Sequence, residues 1–191
     1  MNRITQLDPA QATGKAKQLL DAVKSKLGIV PNLTRVLANA PAALEGYLNF
    51  SGALAGGTLN AKVREQISLA VAESNLCGYC LSAHTFIGGK VGLTQKEVAD
   101  ARHAAAATNK TDAILKLARS IIVQRGEVSD ADLKAARSSG LTDGEIVETT
   151  ANVALNIFTN YINHVARTVV DFPEVKPGNG HTVATANCGC A

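Results

Sequence analysis

The sequence predicts an all-α fold, and three observations carry that expectation. The chain is Ala-rich, its apolar residues recur at helical three- and four-residue steps, and no useful length of strand-like alternation appears. Residues that start and stop helices punctuate it at regular intervals. Short loops between such segments imply antiparallel helical hairpins. With 191 residues, one domain is expected.

The elements follow in order. Asp8-Pro9 has the form of an N-cap with Pro at the first helical position, so a helix is expected from there. Leu19, Leu20, Val23 and Leu27 form its apolar stripe, and Gly28 with Pro31 ends it. A short helix is read around Leu33–Leu37. Pro41 opens another through Leu44, Tyr47, Leu48 and Leu54, closed by the loop Gly56-Gly57-Thr58-Leu59-Asn60. Val63, Ile67, Ala70 and Val71 mark a buried helix. Ser74 and Asn75 weaken it just before Cys77, and a further helix is read from Tyr79 to Gly88. Thr94-Gln95-Lys96-Glu97 and Thr142-Asp143-Gly144-Glu145 are capping boxes. Helices are expected over residues 112–124, 129–138 and 142–170. The domain is read as 1–175. Residues 176–191 are read as a flexible appendage of small residues carrying Cys188 and Cys190.

Composition narrows the function. Hydrophobic residues make up 46% of the chain and charged residues 18%, enough for a core without staples. A net charge of +3, 4% aromatics and no Trp argue against a nucleic-acid surface. No apolar run approaches the ~20 residues that cross a bilayer. The first residues reach Asp8 before any apolar run, so a secretory signal is not expected. The default compartment is the cytoplasm, where a Cys-x-x-Cys pair points to catalysis or metal binding.

That pair is Cys77 and Cys80, followed by His84. Spacing of i, i+3, i+7 puts all three side chains on one helical face. Cys77 falls at or just before the helix start, where backbone N–H groups and the dipole favour a thiolate. His84 can take a proton from Cys80 or stabilise its thiolate. Two thiols so placed can cycle between dithiol and disulfide. A thiolate that attacks a peroxide becomes a sulfenic acid, which the second thiol condenses to a disulfide. Proximity to His84 makes Cys80 the attacking sulfur, whereas proximity to the helix start favours Cys77. A zinc site is the rival reading. It would need a fourth ligand beyond these three groups, from Cys188, Cys190 or water.

Glu65, Cys77, Tyr79, Cys80 and His84 together form Glu-x11-Cys-x-x-Cys-x3-His, followed by a Gly92-Leu93-Thr94 break. This pattern, densest over residues 61–105, resembles the alkylhydroperoxidase AhpD core, a branch of the carboxymuconolactone decarboxylase-like superfamily. The resemblance implies an AhpD-like helical-hairpin fold and a homotrimer or homohexamer. It implies a hydroperoxide substrate, a dithiol reductant (a lipoyl or thioredoxin-like protein), and no cofactor or metal. It makes Cys80 the peroxide-reactive sulfur and Cys77 its resolving partner. Glu65, His84 and Tyr79 become the proton relay. Lactone decarboxylation, known in the same superfamily, needs no cysteine pair.

Other residues were weighed beside these. Glu73, one turn before Cys77, competes with Glu65 as the relay acid, and Glu65 can serve only if the chain bends near residues 74–76. Tyr79 reads equally as packing or chemistry. His103, His164 and His181 have no partners in sequence. Asn152, Asn156, Asn160 and Asn163 form one helical stripe, read as a hydrogen-bond ladder between helices or subunits in preference to a polar wall of the site. Cys188 and Cys190 are either a second redox couple or an incidental pair, and the sequence slightly favours the latter.

Overall fold

A computed structural model describes residues 2–178. Among these residues the secondary structure is helical, in the order α1 (Gly14–Leu27), α2 (Asn32–Leu37), α3 (Pro41–Ala55), α4 (Ala61–Ser74), α5 (Gly78–Lys90), α6 (Gln95–Arg102), α7 (Asn109–Val123), α8 (Asp130–Ser138) and α9 (Asp143–Ala166). No helix among them is long and apolar enough to cross a membrane. Helix α4 is the axle, packed against α5, α6, α7 and α9. Every residue from Gln66 to Glu73 is buried, as expected of a helix surrounded on all sides.

Local chemistry explains most of the helix starts. Thr94 and Thr142 each accept the N–H of a glutamate three residues on, whose carboxylate returns to the cap. Ser129 and Asp132 do the same for α8, and Asn60 caps α4. The loop before α4 is pinned to α9 by Glu148. Its carboxylate accepts the Thr58 N–H at 2.9 Å, the Leu59 N–H at 3.0 Å and the Thr58 hydroxyl at 2.9 Å. A Cβ on Gly57 would lie 2.6 Å from that carboxylate, so any side chain there would push Glu148 off the loop.

Two boundaries differ from the sequence reading. The Asp8 start makes a single turn, with the Ala12 N–H on the Asp8 carbonyl at 2.9 Å. A lone turn is a costly nucleus. Thr13 is extended (φ −128°, ψ 168°), so α1 begins at Gly14. The last helix ends at Ala166, four residues short of Val170, because Arg167 takes a left-handed φ of 48°. The Thr168 N–H bonds back to the Asn163 carbonyl at 3.2 Å.

The chain then returns across the molecule. Asp171 accepts the Asn32 N–H at 2.8 Å, and the Val175 N–H donates to Ser82 Oγ at 2.9 Å. Arg102 donates to the Lys176 carbonyl at 3.0 Å, and the Gly178 N–H donates to Glu73 at 2.6 Å. This strap crosses the start of α5, where Gly78 offers no side chain. Pro177 Cδ lies 3.7 Å from the point a Cβ would occupy. Cys188, Cys190 and His181 lie outside the described residues.

Candidate active site

The α4–α5 hairpin creates the site. Leu76 adopts φ 54°, the left-handed region. Its N–H reaches the Glu73 carbonyl at 3.0 Å, and the Cys77 N–H reaches Ala72 at 2.8 Å. This is a Schellman ending with Leu where Gly is usual. The sharp turn lets α5 begin at once, with Cys77 as its N-cap. It also supplies the bend that Glu65 requires. Glu65 Oε2 meets His84 Nδ1 at 2.8 Å across the hairpin.

Glu73 is elsewhere. It is buried, 6% exposed, and paired with Arg102 Nε at 2.7 Å. Its second oxygen holds the strap. The competition between the two acids is therefore resolved by position: Glu65 touches His84, and Glu73 is a structural anchor.

Both cysteines are buried thiols, each 2% exposed, yet they face different openings. Cys80 lines a cavity of about 620 Å³ together with Tyr47, Glu65, Tyr79, His84 and Phe172. Cys77 lines a smaller opening of about 250 Å³ on the other side, with Leu76, His164 and Arg167. The hydrogen bond between the sulfurs, first of several causes, pulls Cys77 below the ordinary thiol value. The same interaction with Cys77, then burial, pushes Cys80 up. Within the pair, negative charge is therefore favoured on Cys77 over Cys80. Burial alone would lower the His84 imidazole. The charge and hydrogen bond of Glu65 outweigh it, with Cys77 adding, and hold His84 above its ordinary value.

The asparagine stripe divides between the two readings. Asn152 and Asn156 donate to carbonyls one turn back on α9 and line the main cavity. Asn163 Nδ2 donates to Cys80 Sγ at 3.2 Å. Asn160 Oδ1 accepts from Asn75 at 3.0 Å, and Asn160 also helps to lower the Cys80 thiol. Asn160 Nδ2 and Asn163 Oδ1 are buried without hydrogen-bond partners among the described residues. A spare donor and a spare acceptor therefore lie in the amide pair that faces the Cys80 sulfur. Asn152 and Asn156 thus form a polar wall of the cavity, whereas Asn160 and Asn163 bond across to the end of α4 and to α5.

Tyr79 sits apart from the relay pair. Its hydroxyl accepts the Leu33 N–H at 3.1 Å, and its ring meets Phe172 edge-on at 5.9 Å. Burial raises its phenol. It ties α5 to the start of α2 and walls the cavity. Tyr47 is a site residue that the sequence gave no reason to single out. Burial, then the charges of Cys80 and Glu65, push its phenol up to about 12. It reads in sequence as one more apolar position of α3, and only the fold turns it toward the thiols. Among the described residues no group of three or more His, Cys, Asp or Glu is arranged to hold a metal ion.

The carboxymuconolactone decarboxylase family model matches residues 41–123, from α3 through α7. An AhpD-core, peroxidase-related protein from Ralstonia eutropha JMP134 superposes with a TM-score of 0.77 at 27% identity, covering 89% of this chain and 92% of its own. Residues 41–123 thus resemble the carboxymuconolactone decarboxylase family, and the chain as a whole has the AhpD-like fold. A peroxidase-related protein from Silicibacter sp. TM1040 shares the AhpD-like fold at TM-score 0.75 and 22% identity, covering 87% of this chain and 92% of its own. So does the debrominase Bmp8, in a variant bound to 2,3,4-tribromopyrrole, at TM-score 0.75 and 14% identity, covering 88% and 91%. Comparison with curated proteins gave no match. The AhpD-like family supports an enzyme of peroxidase-related or decarboxylase-like type.

Proposed function

We propose that this AhpD-like protein reduces organic hydroperoxides through a Cys77–Cys80 disulfide that an external dithiol regenerates. One observation carries the reading: of the two sulfurs, Cys80 is the one that lines the large cavity, in company with the Glu65–His84 pair.

The steps balance. The Cys80 proton passes to the relay, leaving a thiolate that the Asn163 amide stabilises. That thiolate attacks the terminal peroxide oxygen, the O–O bond breaks, and the alkoxide takes a proton from His84. The products are an alcohol and a Cys80 sulfenic acid. Cys77 then gives its proton to the relay and attacks the Cys80 sulfur, the hydroxyl leaves as water with that proton, and the disulfide closes. Tyr79 acts as a wall and a tie rather than a proton carrier, because its hydroxyl accepts the Leu33 N–H and hydrogen-bonds the Asp171 carboxylate, away from the Glu65–His84 pair. A cavity of about 620 Å³ walled by Leu48, Ile87 and Phe172 suits an organic hydroperoxide better than hydrogen peroxide.

The dithiol state requires a reducing compartment, so the cytoplasm is the proposed location. A lipoyl or thioredoxin-like protein is the proposed reductant. A homotrimer or homohexamer is the proposed assembly. Val147, Phe158, Tyr161 and Val165 stand exposed at three-, four- and seven- to eleven-residue spacings along α9, which supports self-association.

The test is thiol titration before and after one equivalent of an organic hydroperoxide, in wild type and Cys80→Ser. Rapid loss of two thiols in the wild type alone supports the mechanism. A sulfenate trapped on Cys77 in a still-active Cys80→Ser variant reverses the order of the sulfurs. Unchanged thiols with turnover of a lactone acid would favour decarboxylation, and stoichiometric zinc that blocks titration would favour a non-catalytic module.

A further inference from the structure

The second opening, at Cys77, has no part in the proposed peroxide step. Its lining includes Leu76, Gly78, His164 and Arg167. Leu76 stands 56% exposed at the rim. The strap of residues 172–178 ends beside it. Pro177 rests on Gly78, the residue after Cys77, and the Gly178 N–H is fixed to the buried Glu73 carboxylate at 2.6 Å.

We propose that this opening receives the chain's own Cys188-Gly189-Cys190 segment as an internal dithiol. It would carry electrons from the external reductant to the active-site disulfide. The inference rests on the dithiol reading above and names how that site is reduced.

Three observations support it. The first is reach. Cys188 is ten residues beyond Gly178, and ten residues span at most ~33–36 Å. Pro177, the residue before that anchor, touches Gly78, the residue after Cys77, so the target lies well inside the reach of the segment. The second is composition. Asn179-Gly180-His181-Thr182-Val183-Ala184-Thr185-Ala186-Asn187 has no proline and no large apolar residue that would commit it elsewhere. The third is charge. Arg167 rims the opening, and a fixed cation lowers the pKa of an incoming thiol and so favours its thiolate.

The exchange balances. A Cys188 thiolate attacks Cys77 Sγ, the Cys77–Cys80 bond breaks, and Cys80 leaves as a thiolate that takes a proton from His84. Cys190 loses its proton and attacks Cys188 Sγ, releasing Cys77 as a thiolate. One disulfide has moved from 77–80 to 188–190. An external dithiol then reduces it and is itself oxidised to a disulfide.

The test uses the full chain. In the double variant Cys80→Ser, Cys190→Ser, only Cys77 and Cys188 remain. Treatment with diamide, a thiol oxidant, should give an intrachain Cys77–Cys188 bridge in most molecules, at a rate independent of protein concentration. Adding Arg167→Glu should slow bridging at least fivefold. In otherwise native chains, Cys188→Ser with Cys190→Ser should leave loss of the first two thiols to hydroperoxide unchanged and slow turnover with a protein dithiol at least tenfold. A bridge between two chains, a bridging rate unmoved by Arg167→Glu, or full turnover without the two cysteines would overturn the proposal. Diamide bridging does not depend on peroxide chemistry. A chain that bridges normally but loses no thiols to hydroperoxide would sink the peroxidase reading and leave the docking intact.

Discussion

Glu65 and His84 lie nineteen residues apart in sequence and 2.8 Å apart in space, on opposite arms of the α4–α5 hairpin. The contact does two things at once. It fixes the imidazole's orientation, and it raises the imidazole's affinity for a proton in a place where burial works against charge.

Glu65→Gln should therefore drop the His84 pKa, read by NMR titration of the imidazole. Peroxide turnover should fall by about 10²-fold if the pair relays protons. The stability effect has a definite sign. His84 titrates higher in the folded chain than its ordinary 6.5. Its contribution is full below that value and is lost as pH rises through the raised folded value. The stability gap between wild type and Glu65→Gln should shrink over that window, measured by urea midpoints.

Asn163 donates to Cys80 Sγ at 3.2 Å, and Asn163→Ala removes that donor. Hydrogen bonds to charged groups contribute about 1.5–3 kcal/mol, so thiolate formation at Cys80 should slow roughly tenfold to a hundredfold. Stopped-flow alkylation at fixed pH reads this directly. Cys77 alkylation should change far less, which separates a local effect from general loosening of α9.

Glu148 holds the loop into α4 through hydrogen bonds from Thr58 and Leu59. Glu148→Ala should cost about 1–3 kcal/mol, since it leaves those N–H groups without their acceptor. Gly57→Ala should give a loss of similar size by pushing the same carboxylate away. The double variant should cost little more than either single one, because both act on one contact.

Leu76 holds a left-handed conformation that disfavours a side chain by roughly 1–2 kcal/mol. Leu76→Gly should leave stability level or raise it by up to ~1 kcal/mol, glycine's extra chain entropy offsetting part of the gain. Leu76→Val, β-branched, should lower it. Thermal melts of the three proteins give the order Gly, Leu, Val.

What the sequence revealed was what is local. The Thr94 and Thr142 caps each depend on residues within one turn, and each stands where its spacing puts it. Cys80 and His84 share the main cavity as one face requires, whereas Cys77, at the N-cap, lines the second opening. The start at Asp8 looked like a helix because its first turn is one, and only the extended Thr13 ends it. The amide on Cys80 comes from 83 residues away. Tyr47 and Phe172 arrive from α3 and the strap. No spacing rule reaches that far. The choice between Glu65 and Glu73 turned on Leu76, a residue whose sequence carries no sign of its left-handed turn.

The hairpin turn at Leu76 has a consequence for biogenesis. Glu65, Cys77, Cys80 and His84 all belong to one hairpin of consecutive helices, whereas Asn163 and Phe172 follow 79 and 88 residues after His84. Contacts close in sequence form earlier than distant ones. The two sulfurs are therefore brought together before α9 and the strap cover them. A nascent chain meeting an oxidant at that moment would seal the bridge with its relay already in register, and maturation would begin from the oxidised form.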